Sequence, residues 1–134
     1  MFLFSLVTPE KKVITDQEVE ELLVPGFRGQ LNILPGHAPL MTTLSVGILT
    51  YREKGSSTFR EVAISWGYCE VTPKGVIVLA ETAETKDEID RDRAQEALKK
   101  AEKALMDPDL EPDQMKKFQR KMERARSRLE LAAH

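Results

Sequence analysis

The period of the hydrophobic and polar positions changes near residue 84. Before that point β-branched and aromatic residues alternate with polar ones or gather in short runs between turns, which is typical of strands. Beyond Ala83 apolar residues recur every three or four positions, as they do on one face of a helix. The pattern therefore predicts an N-terminal β domain over residues 1–84 and a helical domain over residues 85–134.

The β domain contains a series of short candidate strands. They are Phe2–Val7, Val13–Val24, Gly29–Ile33, Leu40–Leu44, Ile48–Glu53, Thr58–Ser65, Tyr68–Thr72 and Val76–Ala80. Gly55 and Gly75 stand where tight hairpins need a residue that tolerates positive φ or a bulge. Short strands at this spacing predict a flattened β-sandwich or barrel.

The helical domain has signals for two helices. Thr85 followed by Glu88 matches a capping box, which predicts a first helix running to about Met106. Its candidate apolar stripe comprises Ile89, Ala94, Ala97, Leu98, Ala101, Ala104 and Leu105. Pro112 fits the first turn of a second helix, whose candidate seam is Met115, Phe118, Met122, Ala125 and Leu129. We expect an antiparallel hairpin.

The stripe of this hairpin is narrow and consists largely of alanine and methionine. At roughly 25 cal/mol per Å² of apolar surface buried, such a pair of helices is only marginally stable against chain entropy. The pattern therefore indicates an element that can move.

Composition and charge exclude several classes of protein. With 41% hydrophobic residues and a net charge of −2, the chain has material for a core and no global basic field for nucleic acid. One cysteine and two histidines exclude an internal disulfide and argue against a structural metal site. No basic segment precedes the apolar residues 1–7, so they predict a strand and no signal peptide. No run of about eighteen apolar residues occurs, so we expect no membrane insertion.

Three side chains invite a functional interpretation. His37 has no second histidine or carboxylate close in sequence, so a turn or interface role is favoured over catalysis. Cys69 alternates with its neighbours as a small buried residue would. Trp66 is either a core residue, which is slightly favoured, or an exposed interface anchor. No paired carboxylates, nucleophile and base, or phosphate loop occur, and we expect no catalytic residues and no required cofactor.

Several segments together resemble one family. Residues 25–40, PGFRGQLNILPGHAPL, resemble the signature loop of the F-type ATP synthase ε subunits. Residues 66–71 resemble the family's glycine-aromatic-x-Glu-Val stretch, 76–80 its last strand, and 89–94 its Ile/Leu-Asp-x-x-Arg-Ala motif. The matches come in the right order and cover nearly the whole chain.

The resemblance implies a β-sandwich head of about ten strands, two C-terminal helices, and a non-catalytic place in the central stalk of a bacterial enzyme. The implied partners are the γ subunit, the membrane c-ring and the α/β catalytic hexamer, at the cytoplasmic face of the inner membrane. The residues that face the c-ring would be Gly29, Gln30, Leu31 and His37. Many family members have glutamate at Gln30 and glycine at Asn32, so an amide would replace a charge at this contact.

The resemblance further implies ATP as a regulatory ligand of the folded hairpin. The implied contacts are Glu84, Ile89, Asp90, Arg93, Ala94, Arg124 and Arg128. A guanidinium offers a rigid fork of donors for phosphate. The alternative is an ion pair between Asp90 and Arg93 within the helix, worth only tenths of a kcal/mol.

The last helix is strongly basic. Between positions 116 and 128, against the single acid Glu123, it carries Lys116, Lys117, Arg120, Lys121, Arg124, Arg126 and Arg128. The resemblance implies that an extended helix reaches an acidic region of the β subunits and inhibits hydrolysis. A nucleic-acid adaptor is the alternative, which the absence of base-stacking residues and the balanced charge of residues 81–134 disfavour.

Overall fold

A computed structural model describes all 134 residues. The chain forms two compact units, residues 1–85 and 86–134. The first unit consists of the strands β1 (Phe2–Val7), β2 (Lys12–Gly26), β3 (Gly29–Ile33), β4 (Leu40–Leu44), β5 (Gly47–Glu53), β6 (Arg60–Thr72) and β7 (Gly75–Thr85). The second consists of a 3₁₀ turn (Lys86–Glu88) and the helices α1 (Arg91–Leu105) and α2 (Pro112–Ala133). The predicted fold class, a β-sandwich followed by two helices, is confirmed.

The strand pairings of the first unit close on themselves. β1 pairs with β2, β2 with β5, β5 with β6 and β6 with β7, all antiparallel, and β7 returns to pair with β1 in parallel. β3 forms a hairpin with β2, and β4 is attached to β6. The result is a flattened sandwich whose two layers share their longest strands.

The structure has seven strands, fewer than the roughly ten that the resemblance implied. Three of the seven are long, with 11 residues or more, and each takes up sequence that would otherwise form two shorter strands. The predicted strands 58–65 and 68–72 are one strand, β6. Its first half pairs with β5 at Gly47–Tyr51, whereas its second half pairs with β4 at Leu40–Leu44. The exchange of partners occurs at Trp66, where φ is 27°. A strand that bends without breaking looks like two strands in the sequence.

The bend of β6 depends on close approach of two backbones at Gly67. This residue pairs with Leu44 of β4 on one side and Ala80 of β7 on the other. A Cβ atom built on Gly67 would overlap the carbonyl oxygen of Leu79. Only glycine therefore fits where β4, β6 and β7 meet.

The inward side chains of both layers form one core. Its members include Phe4, Leu6, Val19, Leu22, Val24, Ile33, Leu44, Leu49, Tyr51, Val62, Ile64, Cys69, Val71, Val76 and Val78. The rings of Phe4 and Tyr51 lie 5.5 Å apart between centroids. The buried hydroxyl of Ser65 is satisfied by Thr82 at 2.5 Å. Cys69 is fully buried, as predicted, and burial raises the pKa of its thiol to about 12.

Both hairpins predicted from glycine are confirmed. Gly55, with φ 81°, follows β5, and the amide of Ser56 donates to the carbonyl oxygen of Glu53. Two residues, Pro73 and Lys74, connect β6 to β7, and Thr72 pairs with Gly75. The register of the whole β6–β7 ladder follows from this short turn.

The predicted start of the first helix is wrong. Thr85 ends β7, and the following residues form a 3₁₀ turn instead of a helical turn with a capping box. Asp90 is the N-cap of α1, and its Oδ1 accepts a hydrogen bond from the amide of Arg93 at 3.1 Å. The capping box failed because an aspartate five residues later offered a better cap and the strand ladder extended to Thr85. Pro112 occupies the first turn of α2, as predicted.

The helical hairpin is thinly packed. The buried residues of α1 are Ala94 and Ala101, and those of α2 are Ala125, Ser127 and Leu131. Met115 of the predicted seam is exposed, and Phe118, Met122 and Leu129 are only half-buried. The side chain of Lys86 contacts the main-chain oxygen of His134, so the two ends of the hairpin meet. Neither helix has the length and apolar character that a membrane crossing requires.

The contact at Gly67 predicts a large and local cost for a methyl group. We expect Gly67→Ala to lower the free energy of unfolding by more than about 3 kcal/mol, because the backbones must separate. Gly55→Ala is the matched control: it has positive φ and open space, so its cost should be roughly 1–2 kcal/mol. Urea denaturation of both variants measures the difference. Equal costs would show that the contact relaxes freely.

The burial of Cys69 predicts an inert thiol. The raised pKa keeps the side chain protonated in the folded protein, and the thiolate is the reactive form. At pH 8 a chromogenic disulfide reagent should label native protein at least about a hundredfold more slowly than urea-unfolded protein. The free energy of unfolding should also fall as pH rises above 9, because the unfolded thiol ionises first. The variant Cys69→Ala should lack that part of the pH dependence.

Candidate functional site

The signature loop is a hairpin followed by a tight turn. Gly26 pairs with Gly29, so Phe27 and Arg28 form the tip between β2 and β3. The amide of Phe27 donates to the carbonyl oxygen of Thr43 at 3.1 Å and ties this tip to β4. Phe27 is 76% exposed, a feature that was not predicted from the sequence. Its position between two glycines is the signal that could have found it.

The four candidate residues for the c-ring contact differ in exposure. Gly29 and Gln30 are exposed at the start of β3. Leu31 is half-buried and packs against the core, because side chains alternate along a strand. His37 lies beyond the other end of β3. Gly29 and Gln30 are therefore the fully exposed members of this set, and His37 is half-buried.

His37 belongs to a turn whose geometry follows from its sequence. The amide of His37 donates to the carbonyl oxygen of Leu34 at 3.1 Å, and Gly36 has φ 82°. Proline followed by glycine with positive φ is the pattern of a type II turn. The Nδ1 atom of His37 lies 2.7 Å from the carbonyl oxygen of Ala38. The histidine is thus held by its own turn, with no acid–base partner.

One outer side of the sandwich carries several exposed apolar side chains, with Glu70 between Met41 and Ile77. Side chains that point away from the core along β1, β4, β6 and β7 align across the strands by the observed register. They include Val7, Met41, Tyr68, Ile77 and Leu79, which together we call the outer apolar face. Met41 is 64% exposed and Ile77 49%. An exposed apolar patch on a sheet commonly marks a protein interface.

A pocket opens at one end of the outer apolar face. Its volume is about 400 Å³, and it is lined by Val7, Thr8, Pro9, Trp66, Gly67, Tyr68, Leu79, Ala80 and Glu81. Trp66 is half-buried in its wall and lies outside the core, so the favoured core prediction for it is wrong. The bend of β6 turns this side chain outward. Positive φ at a bulky residue costs about 1–2 kcal/mol.

The candidate nucleotide residues of α1 are arranged by the helix cap. Asp90 uses a carboxylate oxygen to accept the amide of Arg93, so it is committed to the backbone. The alternative ion pair between the two side chains does not form. The side chain of Arg93 is exposed, whereas Ala94 is buried in the hairpin. Of the implied nucleotide contacts in this motif, Arg93 is the one that presents donors to solvent.

The remaining candidate nucleotide residues lie in three different elements. Glu84 is half-buried in β7, and Ile89 is half-buried between the 3₁₀ turn and α1. Arg124 and Arg128 are half-buried in the second half of α2. Because the hairpin is antiparallel, that half of α2 runs beside the first half of α1, where Arg93 lies. The hairpin thus carries three arginines towards one end.

The basic residues of α2 differ in exposure. Lys116, Lys117, Arg120, Lys121 and Arg126 are exposed, in contrast to Arg124 and Arg128. Lys121 places its Nζ 5.5 Å from the centroid of the Phe118 ring. The exposed members give α2 a cationic surface.

Ser127 was not among the residues predicted from the sequence. Its side chain is buried, and its hydroxyl has no hydrogen-bond partner. A serine between two arginines in a helix interior is the signal that could have drawn attention to it. No group of three or more histidine, cysteine, aspartate or glutamate side chains is placed to hold a metal ion.

Both units match family models. Residues 1–86 match the β-sandwich domain of the ATP synthase Delta/Epsilon chain. Residues 87–133 match the long α-helix domain of the same chain. Together the two matches cover the protein almost completely.

Curated relatives agree with the family models. The chain is 44% identical over 128 residues to the ATP synthase epsilon chain of Bdellovibrio bacteriovorus, with 96% of this chain and 91% of the relative covered. It is 45% identical to the epsilon chain of Geobacter metallireducens, with the same coverage. These relatives are similar over both units.

Solved structures share the fold. A chain of the Euglena gracilis mitochondrial ATP synthase, in a structure of OSCP, F1 and the c-ring, superposes with a TM-score of 0.85 at 22% identity, over 99% of this chain and 81% of that one. A chain of the Tetrahymena thermophila mitochondrial ATP synthase central stalk and c-ring gives 0.65 at 14% identity, over 98% and 96%. At these identities the likeness concerns the fold alone. By its family models and its bacterial relatives, the chain belongs to the ATP synthase delta/epsilon chain family, among the bacterial epsilon chains.

Proposed function

We propose that this protein is a non-catalytic rotor subunit in the central stalk of a proton- or sodium-driven F-type ATP synthase. In this role it connects the catalytic hexamer to the c-ring and takes part in no bond-making step. The observation that carries the proposal is the outer apolar face. It lies on a β domain that matches the β-sandwich domain of the ATP synthase Delta/Epsilon chain. The protein would lie at the cytoplasmic face of the inner membrane, held there by other subunits.

The outer apolar face supports a contact with the γ subunit. Met41, Tyr68 and Ile77 are each more than 40% exposed, although they stand in the middle of strands. Covering such a face with another protein gains roughly 25 cal/mol per Å² of apolar surface removed from water. Strands also present a fixed pattern of side chains, so the face can define the orientation of the head on its partner.

The tip of the signature loop supports a contact with the c-ring. Gly29 and Gln30 are exposed there, and the tip is tied to β4 through the amide of Phe27. The Gln30 amide can donate and accept hydrogen bonds with polar loops without a net charge. The type II turn at His37 ends the same loop and limits its freedom.

The hairpin supports regulation of hydrolysis by a change of conformation. Three of its five buried residues are alanines, so opening the hairpin exposes little apolar surface. The cationic surface of α2 would be attracted to an acidic region of the β subunits once the helix extends. A compact state would permit rotation, and an extended state would hinder hydrolysis.

ATP is proposed as a ligand that favours the compact hairpin. Arg93 projects from the first turn of α1, and Arg124 and Arg128 lie on the adjoining half of α2. Arginines from both helices can hold one phosphate chain only while the helices are together. Differential binding of this kind shifts the population towards the compact state.

Removing the hairpin tests the regulatory role. Deletion of residues 86–134 should raise ATP hydrolysis by the reconstituted ATP synthase several-fold and leave proton pumping per ATP largely intact. The head alone should still co-purify with γ, because the outer apolar face belongs to the first unit. Unchanged hydrolysis after deletion would contradict the brake.

Charge variants of the full chain test whether the cationic surface of α2 causes the inhibition of hydrolysis. Lys116→Gln, Lys117→Gln and Lys121→Gln together should relieve part of the inhibition, since they remove exposed charge from α2. The matched control changes Lys99, Lys100 and Lys103, three exposed lysines of α1, to glutamine. Equal effects of the two sets would show that only total charge matters.

Arginine variants test the nucleotide site. Arg93→Ala should weaken ATP binding by the full chain about tenfold, since it removes a charge-assisted hydrogen bond to phosphate. Arg91→Ala is the control, because Arg91 is an exposed arginine of the same helical turn. Isothermal titration calorimetry gives both dissociation constants. The same loss in both variants would argue against a specific site.

A further inference from the structure

The pocket at the end of the outer apolar face combines shape with backbone strain. Trp66 forms part of its wall with φ 27°, in a region that glycine occupies freely and bulky residues avoid. The next residue, Gly67, lies so close to the carbonyl group of Leu79 that no side chain fits there. Strain held by its surroundings beside a pocket is a reason to look for a function at that pocket.

Core packing does not account for the tryptophan. Trp66 is half-buried and is not a member of the core, unlike Cys69 on the other side of the bend. A glycine at this position would remove the strain and would leave the core residues in place. The part of the indole that faces the pocket is available to a partner.

The lining of the pocket selects its occupant. It consists mainly of aliphatic and aromatic groups from Val7, Pro9, Trp66, Tyr68 and Leu79. Small-molecule sites carry a few convergent polar groups that orient the ligand. Here the hydroxyl of Thr8 already donates to the carbonyl oxygen of Lys11 at 3.2 Å, and Glu81 is exposed at the rim. The pocket suits an apolar side chain better than a polar metabolite.

We propose that the Trp66 pocket receives one large apolar side chain, of the leucine, methionine or phenylalanine kind, from the subunit that covers the outer apolar face. The pocket is continuous with that face through Val7, Tyr68 and Leu79, so a partner lying on the face also covers the pocket. A buried apolar anchor in a pocket is the usual energetic centre of a protein interface. The inference rests on the proposed function, because γ is taken as the partner.

The test separates stability from docking. Trp66→Gly in the full chain should leave the urea midpoint of the isolated protein unchanged or raise it, because strain is relieved. The same variant should weaken binding to purified γ at least tenfold in surface plasmon resonance. Trp66→Phe should retain an intermediate affinity, since an aromatic wall remains. Phe59→Ser, which changes an exposed aromatic residue outside the outer apolar face, should leave the affinity unchanged.

A spectroscopic readout reports on the pocket itself. Trp66 is the only tryptophan, so fluorotryptophan labelling gives one ¹⁹F resonance, which should shift when unlabelled γ is added. If γ fails to bind even the unchanged protein, the proposed function is wrong. If γ binds the unchanged protein and the Trp66→Gly variant equally and the resonance stays in place, only the pocket inference is overturned. A lowered urea midpoint for Trp66→Gly would overturn it as well, because the indole would then be part of the fold's own packing.

Discussion

The close approach of β6 to β7 at Gly67 is the constraint on which the head depends. Because Gly67 has no side chain, β6 can lie against the carbonyl group of Leu79 and bend there from one layer into the other. The first half of β6 then pairs with β5 and the second half with β4. The same bend places Trp66 outside the core. The close contact at Gly67 thus permits both the change of partner strand in β6 and the outward position of Trp66 beside the pocket.

The two units differ in how much buried apolar packing stabilises each of them. The head has a continuous core of large aliphatic and aromatic residues drawn from all seven strands. The hairpin buries three alanines, a serine and one leucine. Since stabilisation by packing grows with the apolar area buried, opening the hairpin costs far less than disturbing the head. The chain therefore combines a firmly packed head with a hairpin that opens at low cost.

The sequence was most informative where periodicity and turn chemistry agree. Strands β1, β3 and β4 have the predicted boundaries, and the hairpins at Gly55 and Gly75 form as expected. The prediction failed where tertiary contact decides the local structure. The bend at Trp66 was interpreted as a gap between strands, because nothing in a linear pattern shows that a partner strand changes there. At the start of α1, the extended β7 ladder and the Asp90 cap prevailed over the capping box.

For the candidate sites, the type of residue was easier to predict than its exposure or the face of the domain on which it lies. The number of basic residues in α2 could be read from the sequence. The half-burial of Arg124 and Arg128, in contrast, depends on helix packing. Leu31 was grouped with Gln30, although strand alternation turns it inward. The outer apolar face escaped notice because its members come from four strands, and only the register brings them together.

The closed circuit of strand pairings has a mechanical consequence. A sheet with free edges peels from its outermost strand, one hydrogen bond after another. In the circuit β1–β2–β5–β6–β7–β1 each strand is bonded on both sides, so a tangential load is shared by several ladders at once. A domain that turns with a rotor under load would then resist deformation as a rigid body. Elastic twist in the assembly would then accumulate in longer elements that have fewer hydrogen-bonded neighbours than the strands of this head.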